Sequence, residues 1–238
     1  EVGKGKAVIV DTWWQTENGG FLCSTLPALR SMKPGSAGPG MPGIHPIIYD
    51  EEGKVIPKGT GKAGNICIQN PWPGSFQTIW GDRDRYVSTY YAKYCKDKNS
   101  KDWRDWPYLA GDAAVQSEDG YYRILGRIDD VINVSGHRLG AKELESAALT
   151  VPEVAEAAVV PVADDIKGKV PDLYVVLKPG FRADAGLEKK VTDCLSKEIG
   201  PIAKPRKEWI GNDMPKTRSG EIMRRVLGAI SNNKGVGD

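Results

Sequence analysis

The chain has 238 residues, 40% of them hydrophobic, and its 33 basic and 31 acidic residues leave a formal charge of +2. That is enough apolar material to bury a core in one large or two ordinary domains, and the charges are mixed without a long basic block, which excludes a nucleic-acid arm and gives no reason to expect a membrane surface. Cys23, Cys67, Cys95 and Cys194 stand far apart with no CxxC pair and only His45 and His137 to assist, so neither a zinc site nor a disulfide scaffold is expected and a reducing cytoplasm is the default setting. No apolar run reaches the roughly 18 residues of a transmembrane helix, and no signal-peptide pattern opens the sequence. It opens instead on EVGKGKAVIVDTWW, without methionine and directly before an apolar run. The reading is therefore of a chain that starts inside a fold, as a fragment or the downstream half of a split gene.

Residues 7–10, AVIV, are apolar and mostly β-branched, as expected for a buried strand. DTWWQTE follows at its carboxyl end, where α/β sheets collect ligands. Trp13 and Trp14 offer flat apolar walls, Thr12, Gln15 and Thr16 offer hydrogen bonds, and Asp11 and Glu17 offer charge; two core tryptophans beside a polar turn fit the same letters. Residues 27–43, dense in Pro and Gly, must be loop. Gly38, Gly40 and Gly43 spell GxGxxG, but Pro39 and Pro42 interrupt it and IHPIIYD follows where a dinucleotide site needs a helix, which disfavours an oxidoreductase. IHPIIYD, GKVIP and GNICIQN read as short strands of a small antiparallel sheet or barrel. Residues 71–107 read as surface helix and loop packed by aromatics, with Arg83 and Arg85 solvated.

Asp119-Gly120 separates two alternating apolar runs and favours a tight turn, so a hairpin is expected with Asp112 and Arg127 near its ends. A carboxylate following YLAG at a strand end can accept both hydroxyls of a ribose, or simply cap a turn. Arg127 to Asp130 reads as a joint between two packed units, centred on Asp129. AKELESAAL then has helical spacing, closed by Val151-Pro152. VAEAAVVPV and DLYVVLKPG read as strands, GLEKKVTDCLSKEIG as an amphipathic helix and EIMRRVLGAI as the last helix, together an α+β domain. Carbonyls freed around Leu149, Val151 and Val154 can hold a cation, although a water-capped helix end has the same appearance.

Four stretches in order, DTWWQTENGG (11–20), GDAAVQSEDGYYRILGRIDDVINVSGHR (111–138), KEIGPIAKP (197–205) and PKTRSGEIMRR (215–225), resemble the signatures of AMP-forming acetyl-CoA synthetases in the acyl-adenylate-forming superfamily. The resemblance implies an α/β and α+β fold, with a β-rich remnant of the large AMP-binding domain over residues 1–128 and a small mobile C-terminal α+β domain over 129–238. It implies acetate, ATP and coenzyme A as substrates with Mg2+. Acetate attacks the α-phosphate to give acetyl-AMP and pyrophosphate; the small domain then rotates at Asp129 and coenzyme A thiolate displaces AMP. By the same resemblance, Asp11, Thr12, Trp13, Trp14, Gln15 and Thr16 bind AMP and the acyl group, and Trp14 narrows the acyl pocket to acetate or propionate. Glu17 is a magnesium ligand, Asp112 the ribose ligand and Arg127 a second nucleotide contact. Arg138 approaches the ATP phosphates, where positive charge offsets charge developing in the transition state; a plain surface arginine is the alternative. Ser135 and Gly136 border the coenzyme A tunnel, and the carbonyls of Leu149, Val151 and Val154 hold a second cation.

Three departures qualify this reading. The family reads PKTRSGK, whose lysine bridges the acyl carboxylate and an ATP phosphate; here Glu221 stands in its place and repels both. Adenylation is therefore expected to be lost or severely slowed, the second half-reaction can survive, and the acetylation switch of that lysine is absent. Ser196 replaces an arginine that meets a coenzyme A phosphate. No GxxxxGK followed by Ser or Thr, and no other phosphate loop, occurs, so the missing N-terminal portion is expected as a separate chain or truncated away, with this chain inactive alone. The rival expectation is a non-catalytic remnant that binds nucleotide or a partner chain.

Overall fold

The computed structural model describes residues 3–134 and 137–236, excluding the side chains of residues 137 and 138. The polypeptide parts into two compact units at the Ile128–Asp129 peptide.

In the first unit, β1 (Thr12–Trp13) and β2 (Cys23–Ser24) pair as a short antiparallel ribbon. β3 (Pro46–Tyr49), β4 (Gly64–Ile68), β5 (Tyr108–Gln116) and β6 (Tyr122–Arg127) form an antiparallel sheet in that order. Every residue of β4 is buried, because it lies between two strands and is covered on both faces. Ile48, Ile66, Ile68, Tyr108, Ala110, Ala114 and Tyr122 gather with Trp13 and Leu22 into one core. α1 (Arg83–Tyr90) starts where the Asp82 carboxylate caps the Arg85 amide at 3.0 Å.

The β5–β6 hairpin turns at Asp119-Gly120 as the sequence indicates. Ser117 N–H donates to Tyr121 O at 3.0 Å and Gly120 N–H to Ser117 O at 2.9 Å, and Gly120 takes a φ of +86° that a side chain would resist. Asp112 lies within β5 rather than at a strand end, since β5 continues past it to pair with β4 and β6 and absorbs the register shift between Ala113 and Ala114. Residues 27–43 are loop, and Gly38 of the false dinucleotide motif has a packing role: a Cβ there would lie 2.6 Å from the Thr25 nitrogen.

The expectation for AVIV fails. Residues 7–10 form no strand and are exposed, Ile9 by 70%. Among the described residues no strand runs beside them, so their backbone groups have no ladder and their side chains no facing layer.

In the second unit, β7 (Val131–Val134), β8 (His137–Gly140), β9 (Val154–Asp164), β10 (Gly168–Leu177) and β11 (Lys207–Gly211) form a mixed sheet. The β9–β10 hairpin is its spine, and β11 joins β10 in parallel. α2 (Ala141–Ala148) and α3 (Ala185–Glu198) cover one face with Leu144, Val191 and Leu195 against Ala157, Val159, Leu173 and Val175. α4 (Arg224–Ser231) covers the other, with Leu227 against Ala158, Val160, Tyr174 and Val176. The two sets alternate along β9 and β10, as the two-residue repeat of a strand requires. α2, α3 and the two long strands match the sequence reading; the last helix, expected from Glu221, begins at Arg224 because residues 216–222 fold back on themselves, and β11 was not foreseen.

Candidate functional site

Strand pairing in the first unit assembles the site. The β5–β6 register sets Asp112 opposite Arg127, and the core position of Trp13 brings the tryptophan-rich turn against them. Trp13, 6% exposed, donates its indole Nε1–H to Asp112 Oδ2 at 2.9 Å. Arg127 Nη1 stands 3.5 Å from Asp112 Oδ1 and donates to Ala110 O at 3.0 Å. Asp112 is 8% exposed. Burial raises its carboxyl above the ordinary range, while the Trp13 indole and the Arg127 guanidinium pull the other way. Two of its roughly four acceptor lone pairs are thus engaged and the rest remain available.

Gly111 makes room for this pairing. It sits at φ +78°, and a Cβ would come within 2.7 Å of Arg127 Nη2. Sequence reasoning passed over it, although a glycine just before the key carboxylate is a visible signal.

The rest of DTWWQTE divides by role. Gln15 donates to Ala110 O at 2.7 Å and accepts from the Tyr108 hydroxyl at 2.9 Å, so its amide fastens the turn to β5. Trp14 is 53% exposed and meets Phe21 edge-on at 6.1 Å. Asp11 is exposed and its carbonyl accepts from Ser24 Oγ. Thr12 pairs with Ser24 in β1, and Thr16 is exposed at the start of a single 3-10 turn that carries Glu17. Glu17 Oε1 accepts from the Tyr90 hydroxyl at 3.0 Å. Tyr90 was not singled out from the sequence; its signal was the i, i+4 spacing of Tyr86 and Tyr90 on α1.

The second unit presents the last motif. Residues 216–222 fold back on themselves: Thr217 N–H donates to Glu221 O at 2.8 Å, and the Glu221 N–H donates to Thr217 Oγ1 at 3.1 Å. The Glu221 side chain is exposed and has no ion pair among the described residues. Lys216 is held by Glu156 Oε1 at 2.8 Å and Asp213 Oδ1 at 3.0 Å, so it is committed elsewhere. Arg224, just beyond, grips the buried Glu145 carboxylate with Nη2 at 2.7 and 2.8 Å.

Ser196 lies half-buried on α3. Val151 O accepts from Val154 N–H at 3.0 Å, which engages one of the three proposed cation carbonyls. Asp129 falls in the single turn Ile128–Asp130. Ser135 and Gly136 lie outside the described residues, and Arg138 is placed by backbone register alone, opposite Asn133.

For a magnesium ion the first-unit site offers a single carboxylate donor. Mg2+ typically takes one or two carboxylates and completes its shell with water and substrate phosphates. Glu17 supplies one half-exposed carboxylate, and no cluster of three His, Cys, Asp or Glu side chains occurs among the described residues.

Known proteins resemble the chain along nearly its whole length. The AMP-binding enzyme family matches residues 1–80, and the AMP-binding enzyme C-terminal domain matches residues 143–221. Acetyl-coenzyme A synthetase of Wolinella succinogenes is 47% identical over 99% of this chain and 36% of its own length; that of Parvibaculum lavamentivorans is 48% identical over 97% and 34%. The chain thus spans about a third of the curated relatives it matches. Among solved structures, an anthranilate CoA ligase in complex with anthranoyl-AMP has a TM-score of 0.76 at 26% identity, covering 94% of this chain and 40% of that one. ATP-bound MatB from Rhodopseudomonas palustris has a TM-score of 0.73 at 26% identity, covering 93% and 40%.

Proposed function

We propose, from its matches to the AMP-binding enzyme family and to acetyl-coenzyme A synthetases, that the chain is the C-terminal portion of an AMP-forming acetate–CoA ligase whose adenylation step is disabled by Glu221. The observation that carries the nucleotide part of this reading is the buried carboxylate of Asp112. It is oriented by Trp13, neighboured by Arg127, and left with free acceptor capacity. A ribose presents two vicinal hydroxyl donors, and a fixed carboxylate can take both while the adjacent guanidinium meets ribose or phosphate oxygens.

In the whole enzyme, acetate would attack the α-phosphate of ATP to form acetyl-AMP with release of pyrophosphate, and coenzyme A would then displace AMP. Mg2+, held by Glu17, would supply charge neutralisation at the phosphates. Asp112 would hold the ribose, and Trp14 would limit the acyl group to acetate or propionate. The small domain would turn at Asp129, Arg138 would face the phosphates, and Ser135 and Gly136 would border the coenzyme A tunnel, with Ser196 offering no charge to its phosphate. Leu149, Val151 and Val154 would contribute a second, structural cation site through main-chain oxygens.

Glu221 supports a division between the two half-reactions. A carboxylate at that hairpin meets two anions where a cation is required, and Lys216 is already paired with two acids. Four free cysteines fit a reducing, cytoplasmic setting. The curated relatives are about three times as long as this chain, and the portion that they add would complete the site.

Calorimetric titration of the chain with AMP tests the nucleotide reading. Binding that is lost in Asp112→Asn is expected; equal binding by both proteins would overturn the assignment of Asp112.

A further inference from the structure

Glu17 is a half-exposed glutamate on a single 3-10 turn, and by itself it has several rotamers to choose from. The structure restricts that choice through residues far away in sequence. α1 ends at Tyr90, and the Tyr90 ring stacks on Tyr108 with centroids 5.6 Å apart and planes 5° from parallel. Phe76 meets both Tyr86 and Tyr90 edge-on, at 4.8 and 4.9 Å. The tyrosine ring is thereby fixed on two sides, and its hydroxyl donates to Glu17 Oε1.

The turn itself is fastened by the same aromatic group. Phe76 N–H donates to Glu17 O at 3.0 Å, and Trp72 Nε1–H donates to Asn18 O at 2.9 Å. Backbone and side chain of Glu17 are therefore held by neighbouring parts of one scaffold, while Oε2 is left to act as a ligand. Hydrogen bonds to a metal-binding carboxylate commonly tune its affinity about 10- to 100-fold.

We propose that Tyr90 is a positioning residue, which holds the Glu17 carboxylate with one oxygen directed to a divalent cation on a bound nucleotide. This deepens the proposed function and rests on its assignment of Glu17 as a cation ligand. Tyr90 touches neither nucleotide nor metal in this scheme; it acts by removing the conformations in which Glu17 cannot coordinate. The neighbouring Tyr86 provides an internal control. Its hydroxyl bonds Phe76 O at 3.2 Å and the Tyr91 hydroxyl at 3.1 Å, and thus belongs to the scaffold without reaching Glu17.

The test is paramagnetic broadening of the Thr16–Asn18 amide NMR signals on addition of Mn2+ with ATP, using Mg2+ with ATP as the diamagnetic reference. The wild-type chain should show broadening centred on these amides, Glu17→Gln should abolish it, and Tyr90→Phe should require about tenfold more Mn2+–ATP for the same effect. Tyr86→Phe should titrate like wild type, and unchanged β5–β6 amide shifts would certify the fold of each variant. Identical titrations for Tyr90→Phe and wild type would overturn the role of Tyr90 alone. An equal shift in Tyr86→Phe would also overturn it, since any loss in the scaffold would then suffice. Absence of broadening in wild type, or its persistence in Glu17→Gln, would overturn the assignment of Glu17 and the proposal with it.

Discussion

Replacing Arg224 by leucine should destabilise the second unit through a carboxylate that cannot follow it into water. The Glu145 side chain is only 6% exposed, and Arg224 meets both its oxygens, at 2.7 and 2.8 Å, with Nε adding a third contact at 3.1 Å. Removing one partner of such a pair typically costs about 3–5 kcal/mol. Two contacts survive: the Val159 N–H at 3.1 Å, and Lys142 Nζ at 3.4 Å, whose side chain is 65% exposed and correspondingly weak. Allowing for them, about 2–3 kcal/mol remains, or about 30- to 150-fold in the opening equilibrium. Amide exchange of residues 157–160 in β9 reports this unit separately from the other. Glu145→Gln introduced into the Arg224→Leu background should recover part of the loss, because the stranded charge is then gone. Less than twofold faster exchange in Arg224→Leu, or no recovery in the double variant, would refute the argument that the buried charge dominates.

Gly111→Ala should lower stability by about 1–2 kcal/mol from the left-handed backbone alone, and weaken AMP binding because its Cβ would displace the Arg127 guanidinium; thermal melts and calorimetry check both. Asp112 should leave a pH signature in stability. Its raised folded-state pKa means that the native chain keeps this proton longer than the unfolded chain, so its contribution is most favourable below the ordinary carboxylate value, falls as pH rises to the raised value, and is flat above it. Subtracting the melting profile of Asp112→Asn from that of wild type should isolate this falling segment, and a difference that rises with pH would reverse the assignment.

The parts of the fold legible in sequence were those written in local pattern. Asp119-Gly120 with its flanking alternation specified the hairpin and put Asp112 and Arg127 near its ends, whereas their direct pairing depends on the register shift between Ala113 and Ala114. The spacing of Leu144, Ala147 and Ala148, and of Leu187, Val191 and Leu195, marked the buried faces of α2 and α3. What depends on distant neighbours was not legible. AVIV has the composition of a strand, but a strand needs a partner, and none lies beside it among the described residues. Trp13 and Trp14 look alike in the sequence, yet one is spent on Asp112 in the core and the other is exposed. Gly111 escaped notice because its role comes from Arg127 on the neighbouring strand, and Tyr90 because its role comes from contacts of α1 with Tyr108 and with the turn that carries Glu17.

The most direct measurement joins this chain to the preceding two-thirds of the Wolinella succinogenes relative and compares Glu221 with Glu221→Lys in two assays. One supplies acetate and ATP and follows acetate-dependent pyrophosphate exchange; the other supplies preformed acetyl-AMP and coenzyme A and follows acetyl-CoA. The account requires that the Glu221 protein consume acetyl-AMP but fail with ATP, and that lysine restore the ATP-dependent step. Equal ATP-dependent rates for both proteins would contradict it.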